Sequence, residues 1–557
     1  MRVVLNSIID KKEYGDPDLL KYEVHVQIGS HVEKIPGGAI EHFEVEMEMY
    51  GFSGSLSFSY DADLRKDTLI SHFATEQIIL LSIKFIPAII YDEEVKPVCL
   101  KGIVREKSVA ERRSDNISSQ PILNRSYTVV FSDPATVLWS QHFPCELYVK
   151  QSMRQVIEKN ITKEIDLDFK HAALNEVKPM IAVGLGKTMP YHSLNTGGCY
   201  EVSFYDFLLS YIETIHGVWF YDYEKQHYSI LEKKPTPDKT EKFTPESVAM
   251  LRSYWPETPR HNLQLMNGIA TGNDRVDFSI EHAHKSIRHD HLYREVLPKQ
   301  FDKIKKVDEK QYKLHGAELH GAFSQWPLET YFPGCAFAVD ELHWGKNALY
   351  AKKRYRCYKI IVSATQTEGS KKESEITDSG TFRLHYSFYA ELESSPKRRR
   401  PIYEVPSGPF FVEGKIVSSI GDAKDQTYQI QESKESGLIE YEVLIPLFGK
   451  KIRVQFEADN QHPHFYFPLY KDTRVLLAMD MYKASIIKVL EWGRGVRLSP
   501  ETQGNHLLLG KQDKDQTSIN HVYQNGKPEF SIKRTKNRDT ELITLKEGTL
   551  ILQTKEE

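Results

Sequence analysis

The sequence predicts a mainly β chain with interspersed α+β modules, a small five-stranded barrel and a C-terminal run of strands. Three observations predict it. Segments alternating apolar with polar residues recur from Tyr22–Ile28 onwards. Aromatic residues are abundant, with 30 Tyr and 26 Phe, and their rings pack well on pleated surfaces. After Gly504, short apolar strands at His506–Leu509, Ser518–Tyr523, Glu529–Lys533, Glu541–Leu545 and Thr549–Leu552 alternate with polar or glycine turns. Hairpins of this kind are marginal alone in water. Several copies wrapped about a shared axis would bury their apolar faces. Leu507, Leu509, Ile519, Val522, Phe530, Ile532, Leu542, Leu545, Leu550 and Leu552 are the expected core of that homo-oligomeric tip.

A chain of 557 residues is too long for one core, so several domains are expected. Lys+Arg 73 nearly balances Asp+Glu 77, which leaves a weak net field and no general case for nucleic-acid binding. The five cysteines, Cys99, Cys145, Cys199, Cys335 and Cys357, are scattered without a CxxC pair, a pattern that fits reduced thiols in cytoplasm. Residues 1–6 carry no signal-peptide pattern. The longest apolar stretch, near Ile78–Ile90, is interrupted by Ser82, Lys84 and Pro87, short of a membrane-spanning run.

Residues 1–132 read as a β-rich domain, with strands at Tyr22–Ile28, Phe43–Met49, Ser53–Tyr60 and Gln77–Phe85. Asp61–Phe73 reads as a short helix, and Arg112–Asn124 as a loop between the strands Leu100–Arg105 and Tyr127–Phe131. Residues 133–244 read as mixed α/β. Pro134–Ser140 is a helical turn, Ser152–Lys159 begins an amphipathic helix, and Phe204–His216 is the clearest helix, capped by Ser203 and ended by Gly217. The hairpin Val218–Tyr223 with Tyr228–Glu232 follows. Residues 245–395 return to β character. Residues 396–409 form a basic, proline-containing linker. Residues 410–495 hold about five strands, fitting a Greek-key barrel of the oligonucleotide/oligosaccharide-binding (OB) type. Residues 496–557 are the strand tip.

Several motifs within this order carry a family likeness. Leu100-Lys101-Gly102-Ile103-Val104 is similar to an F-x-G-I-V strand. Tyr127–Phe131 leads to Asp133-Pro134, Leu138-Trp139 and Ser152–Ile157. Val202 to Leu209, then Glu213 and Gly217 to Tyr221, match a helix-hairpin segment. Phe332-Pro333-Gly334 resembles an L-x-P-G turn, Arg399-Arg400-Pro401 through Gly408-Pro409 a linker, and Ile445 to Phe456 a D-x-x-G-R-V-K-V-Q-F barrel strand. Together they resemble the VgrG-like hub-and-spike proteins of contractile injection machines: type VI secretion systems, phage tails, tailocins and extracellular injection particles. The chain departs from that pattern at Leu447-Phe448, at Glu457 and in its short tip, the marks of a divergent branch.

The resemblance implies phage-tail-hub-like β platforms and a homotrimer whose tip is an intertwined β-prism or β-helix. It implies seating on an inner tube protein among baseplate components, and a PAAR-type tip cap and effectors as partners. The target membrane is pierced transiently. The protein would be assembled in the cytoplasm and ejected with the apparatus. No catalytic residue and no cofactor is expected.

Candidate chemistry is sparse. His282 with His284, and His289 with His291, are spaced so that each pair shares a face on a strand, as metal ligands would, with Glu281 and Asp290 nearby. A charged, solvated strand or loop is the competing and preferred reading. His462 and His464 are read as a turn. Gly184–Thr188 lacks the first glycine of a phosphate loop, since Ile181 stands there. Lys397–Arg400 is read as a solvated basic run, and the aromatic stripe of Phe204–Ile215 as core. Only Gly493–Gln503 separates barrel from tip, too short for an inserted enzyme, and no toxin domain is expected after it. The alternative reading is a tail-associated glycan-binding or adhesion protein, and a third is a glycan hydrolase with paired carboxylates.

Overall fold

The computed structural model describes residues 18–61, 67–87, 97–114, 122–184, 202–236, 240–243, 248–268, 275–280, 282–293, 301–302, 304–306, 316–323, 326–327, 330–339, 344–367, 379–406, 409–422, 425–433, 437–456, 467–493, 495–512 and 515–556. The chain forms two compact units that interleave in sequence. The first comprises Met1–Phe143, Asn160–Leu174 and Ser203–Val405. The second comprises Pro144–Lys159, Asn175–Val202 and Pro406–Glu557.

The first unit is built on an antiparallel ring of eight strands. Its hydrogen-bonded order is Arg354–Gln366, Ile40–Glu48, Gly51–Asp61, Ile122–Ser132, Val98–Ser114, Ile79–Pro87, Asp18–Ile28 and Ser379–Leu392. The last strand pairs with the first through Tyr355↔Leu392 to Gln366↔Phe382, which closes the ring and leaves those strands no free edge. The sequence separates a β domain at 1–132 from another at 245–395, yet their strands complete one ring. Strict alternation aims the core inwards. Leu20, Tyr22, Val24, Val26 and Ile28 are buried on one strand, and Phe43, Val45 and Met47 on another. Tyr22 meets Phe43, Phe85 and Phe382 at centroid distances of 5.8, 5.9 and 5.1 Å, within the range of favourable aromatic pairs.

Local signals in the first unit match their chemistry. Asp133 caps the helix Pro134–Trp139, accepting from the Thr136 amide at 3.0 Å, with proline at the first turn where its missing N–H costs nothing. The Tyr228 hydroxyl donates to the same carboxylate at 2.5 Å. Burial pushes the Asp133 carboxyl up, against those hydrogen bonds. Ser203 and Asp206 form a capping box on the helix Phe204–Thr214. That helix ends before the expected His216, which instead takes a left-handed φ of 56°. Of the helix expected at Asp61–Phe73, Leu69–Phe73 is helical, Asp61 ends a strand, and residues 62–66 lie outside the described residues. The expected loop Arg112–Asn124 is shorter than read, because the flanking strands run to Ser114 and from Ile122.

In the second unit, the strands Phe410–Val417, Ile439–Ile445, Lys450–Gln455, Arg474–Met479 and Ala484–Val489 close into a barrel. In chain order its circuit is first, second, third, fifth, fourth, with third and fifth parallel, the OB-type order. A short sixth strand, Ile430–Glu432, pairs outside the circuit. The hairpin of Glu146–Ser152 with Val177–Val183 adds Leu147, Met180 and Ala182 to the barrel core beside Val443, Val454 and Leu477. That shared core is why residues read as part of a separate module at 133–244 belong to this unit.

Gly54 marks the tightest point in the ring. A methyl there would stand 2.4 Å from the Glu44 carbonyl oxygen and 2.8 Å from the Phe131 ring. Backbone cannot yield as a flexible side chain does, so Gly54→Ala is expected to destabilise the first unit by about 1–3 kcal/mol. Denaturant unfolding of the variant against wild type measures it.

Candidate functional site

Residues 504–555 form a five-stranded antiparallel meander: Gly504–Gln512, Asp515–Gln524, Lys527–Lys536, Asp539–Lys546 and Thr549–Lys555. Three of its turns have two residues. Asn525-Gly526 and Glu547-Gly548 both have positive φ at each position, as a type I′ hairpin requires, and Asn537 adopts φ 55°. Paired residues in a sheet share a face, so the register sorts the side chains. One row crosses all five strands as Leu507, Ile519, Ile532, Ile543 and Leu552. The next row on that face reads Asn505, His521, Phe530, Leu545 and Leu550. The opposite face carries His506, Asn520, Ser531, Thr544 and Ile551 in one row and Leu508, Ser518, Lys533, Leu542 and Gln553 in another, so it mixes polar with a few apolar residues.

This apolar face is uncovered. Leu507, Leu509, Ile543, Leu545, Leu550 and Leu552 keep between 39% and 71% of their accessible surface. The opposite face is partly covered within the unit, where His506 Nδ1 lies 2.9 Å from the Val496 carbonyl oxygen. Eight of the ten residues expected in a tip core therefore stand together. Val522 and Leu542 fall on the opposite face, three residues from Ile519 and Leu545, because an odd separation along an unbroken strand changes face. Ile543 belongs to the apolar row and was missed. Strand parity counted from Ile532 across the Asn537 turn would have found it.

The histidine candidates separate. His289 and His291 lie on the strand Arg288–Tyr293 with ring centroids 4.3 Å apart, and His261 approaches His289 at 5.2 Å. His282 adopts φ 70° in the preceding turn, and His284 Nδ1 accepts from the Ser286 amide at 3.3 Å. Among the described residues, no group of three or more His, Cys, Asp or Glu could hold a metal ion. Glu281, His462, His464 and residues 185–188 lie outside the described residues.

The basic run read as a solvated linker is a strap of ion pairs within the first unit. Lys397 donates to Glu318 at 2.9 Å, and Arg399 reaches Glu318 at 2.6 Å and Glu391 at 3.3 Å. The Arg399 guanidinium also lies 3.6 Å from the Tyr358 ring centroid, a cation–π contact. Lys234 pairs with Glu391 as well. Arg400 binds Glu213 at 2.5 Å, Tyr403 donates to the same carboxylate, and the Glu404 amide donates to Asp206 at 3.0 Å. Glu318 and Glu391 are only 6% and 2% exposed. Burial alone would favour the neutral form of Glu318. Hydrogen bonds and charges from His320, Arg399, Lys397 and Tyr358 outweigh it and hold the carboxyl well below its usual range. The sequence shows the cations but not their partners, which lie up to 187 residues away.

No protein-family model matches the sequence, and no curated protein matches it. Solved structures do. A chain of the Francisella PdpA–VgrG complex in its half-lidded form aligns with a TM-score of 0.73 at 15% identity, covering 97% of this chain and 89% of that chain. The lidless form of that complex aligns at 0.72 and 14% identity, covering 98% of this chain and 99% of that chain. The chain shares that fold. At such identity the likeness concerns architecture alone.

Two outcomes follow from the strap and its surroundings. Glu391→Gln leaves Lys234 without its charge partner in a buried place and takes one of two carboxylates from Arg399, and breaking a buried pair costs about 3–5 kcal/mol. Chemical denaturation of the first unit should show that loss. Nearby, burial pushes the Glu48 carboxyl from 4.5 up to about 7, with Lys359 pulling it down and Glu46 pushing it up. A carboxyl raised on folding adds stability that is whole below its unfolded value and is lost as pH rises through its folded value. Stability should therefore fall between about pH 4.5 and pH 7 in wild type relative to Glu48→Gln, read as the difference between their unfolding free energies across pH.

Proposed function

We propose that this chain is a structural hub and spike of a contractile tail-like injection apparatus, acting as a homotrimer. The observation that carries the reading is the uncovered aliphatic face at residues 504–555. The fold shared with a chain of the PdpA–VgrG complex supports it.

Five strands spaced about 4.8 Å apart make a face about 24 Å wide, and three such faces in an equilateral prism leave each midline about 7 Å from the axis. Leucine and isoleucine side chains fill that distance, so three copies cover the apolar rows without a large void. Covering the exposed half of one such side chain is worth about 1 kcal/mol, so two adjacent rows are needed to hold copies together. The opposite faces, which pair Lys546 with Glu529 at 3.1 Å, then look away from the axis. A prism of this kind gains sideways support from hydrogen bonds along every strand, which suits a body pushed end-on through a membrane.

In the same reading the first unit seats on the inner tube beside baseplate components. The spike carries effectors and a tip cap and is ejected after assembly in the cytoplasm. Its role is mechanical rather than catalytic.

Light scattering of the purified chain tests this. The expected mass is about three times the 64.4 kDa of one chain. Ile532→Asp with Ile543→Asp should return it to a single chain, while Gln553→Asp on the opposite face leaves the trimer intact. A single-chain mass for wild type at every concentration would sink the reading.

A further inference from the structure

The apolar face of the 504–555 sheet changes character along its strands. Beyond the row of Leu507, Ile519, Ile532, Ile543 and Leu552 comes a row of Leu509, Thr517, Arg534, Glu541 and Thr554. Beyond that, Lys536 stands opposite both Asp515 and Asp539. Arg534 Nη1 lies 3.4 Å from Glu541 Oε2, and both side chains are exposed. A concavity of about 120 Å³ borders Arg534, Lys536, Asp539, Glu541 and Thr554. The face that offers aliphatic rows at one end thus ends in charge-matched rows at the other.

We propose that the Arg534–Glu541 row is a lock that fixes the register and parallel alignment of the three copies. The inference rests on the trimeric reading above, and its occupant is two further copies of this chain. On the last three strands the two neighbouring rows are both apolar and so interchangeable. A copy that slips by two residues still sets Phe530, Leu545 and Leu550 against Ile532, Ile543 and Leu552, so hydrophobic contact alone tolerates the slip. The charged row does not tolerate it. Lys527–Lys536 is the middle strand, so its side chains come nearest the axis of a three-faced prism. In the aligned arrangement three Arg534 guanidinium groups converge, each neutralised by its own Glu541. After a slip or a reversal, the Arg534–Glu541 pair of one copy is pressed against isoleucine or phenylalanine of another, so the whole pair loses water and gains no polar partner from the other copies. A single polar group is known to fix register in coiled coils in the same way.

Full-length wild type, Glu541→Gln, and the double variant Arg534→Leu with Glu541→Leu discriminate the idea. Mass on dilution and cryo-electron microscopy without imposed symmetry are the readouts. Glu541→Gln strips the axis of its neutralising charge, and its trimer should dissociate at a protein concentration at least tenfold higher than wild type. The double variant replaces the pair by apolar side chains. Its trimer should withstand dilution at least as well as wild type, while its strands adopt more than one register. An unchanged trimer in Glu541→Gln overturns the lock, because the pair would then face solvent. A double variant holding one register overturns it too. A wild type that stays a single chain overturns the trimeric reading itself, and the lock with it, a result separable from the other two.

Discussion

The apolar face of residues 504–555 is the constraint from which the rest of the account follows. Five of its aliphatic residues lie in one cross-strand row, and the most open of them, Leu552, is 71% exposed. Monomeric proteins seldom leave a contiguous apolar surface of this kind to water. The meander's hydrogen bonds are already made, so folding within the chain cannot hide the row further. Covering it requires another surface of like chemistry, and in the proposed trimer a second and third copy of the same sheet would supply it.

Each unit is built on a closed β structure of its own kind. The eight-stranded ring joins strands from both ends of the first unit, so its integrity depends on pairings such as Leu19↔Thr381, hundreds of residues apart in sequence. The OB-type barrel borrows Leu147, Met180 and Ala182 from an earlier hairpin. Each closure removes edges that would otherwise invite pairing with other chains. In the first unit the strap of Lys397 to Tyr403 is held by the buried carboxylates of Glu318 and Glu391 and the half-buried Glu213 rather than by strand pairing. Its cost in desolvation is offset only because Glu318 collects several donors at once.

Local chemistry was legible in the sequence. The capping box at Ser203, the capped turn at Asp133-Pro134, the OB-type strand count and the five tip strands all follow from spacing and turn residues. What escaped was set by distant pairing. Nothing near Ile40–Glu48 announces that Arg354–Gln366 lies beside it. Lys397–Arg400 reads as solvated because Glu318 and Glu213 are far away in the chain. Within the tip, apolar identity placed Val522 and Leu542 in the core, whereas strand parity puts them on the other face and brings Ile543 in. The hairpin turns fix that parity, so the face was readable there with closer attention to register.

Cryo-electron microscopy of the purified wild-type chain, without imposed symmetry, tests the central claim most directly. The account predicts a three-fold spike in which residues 504–555 form three five-stranded faces, with Leu507, Ile519, Ile532, Ile543 and Leu552 pointing inwards. Single chains, or an assembly that leaves this row facing solvent, would contradict it.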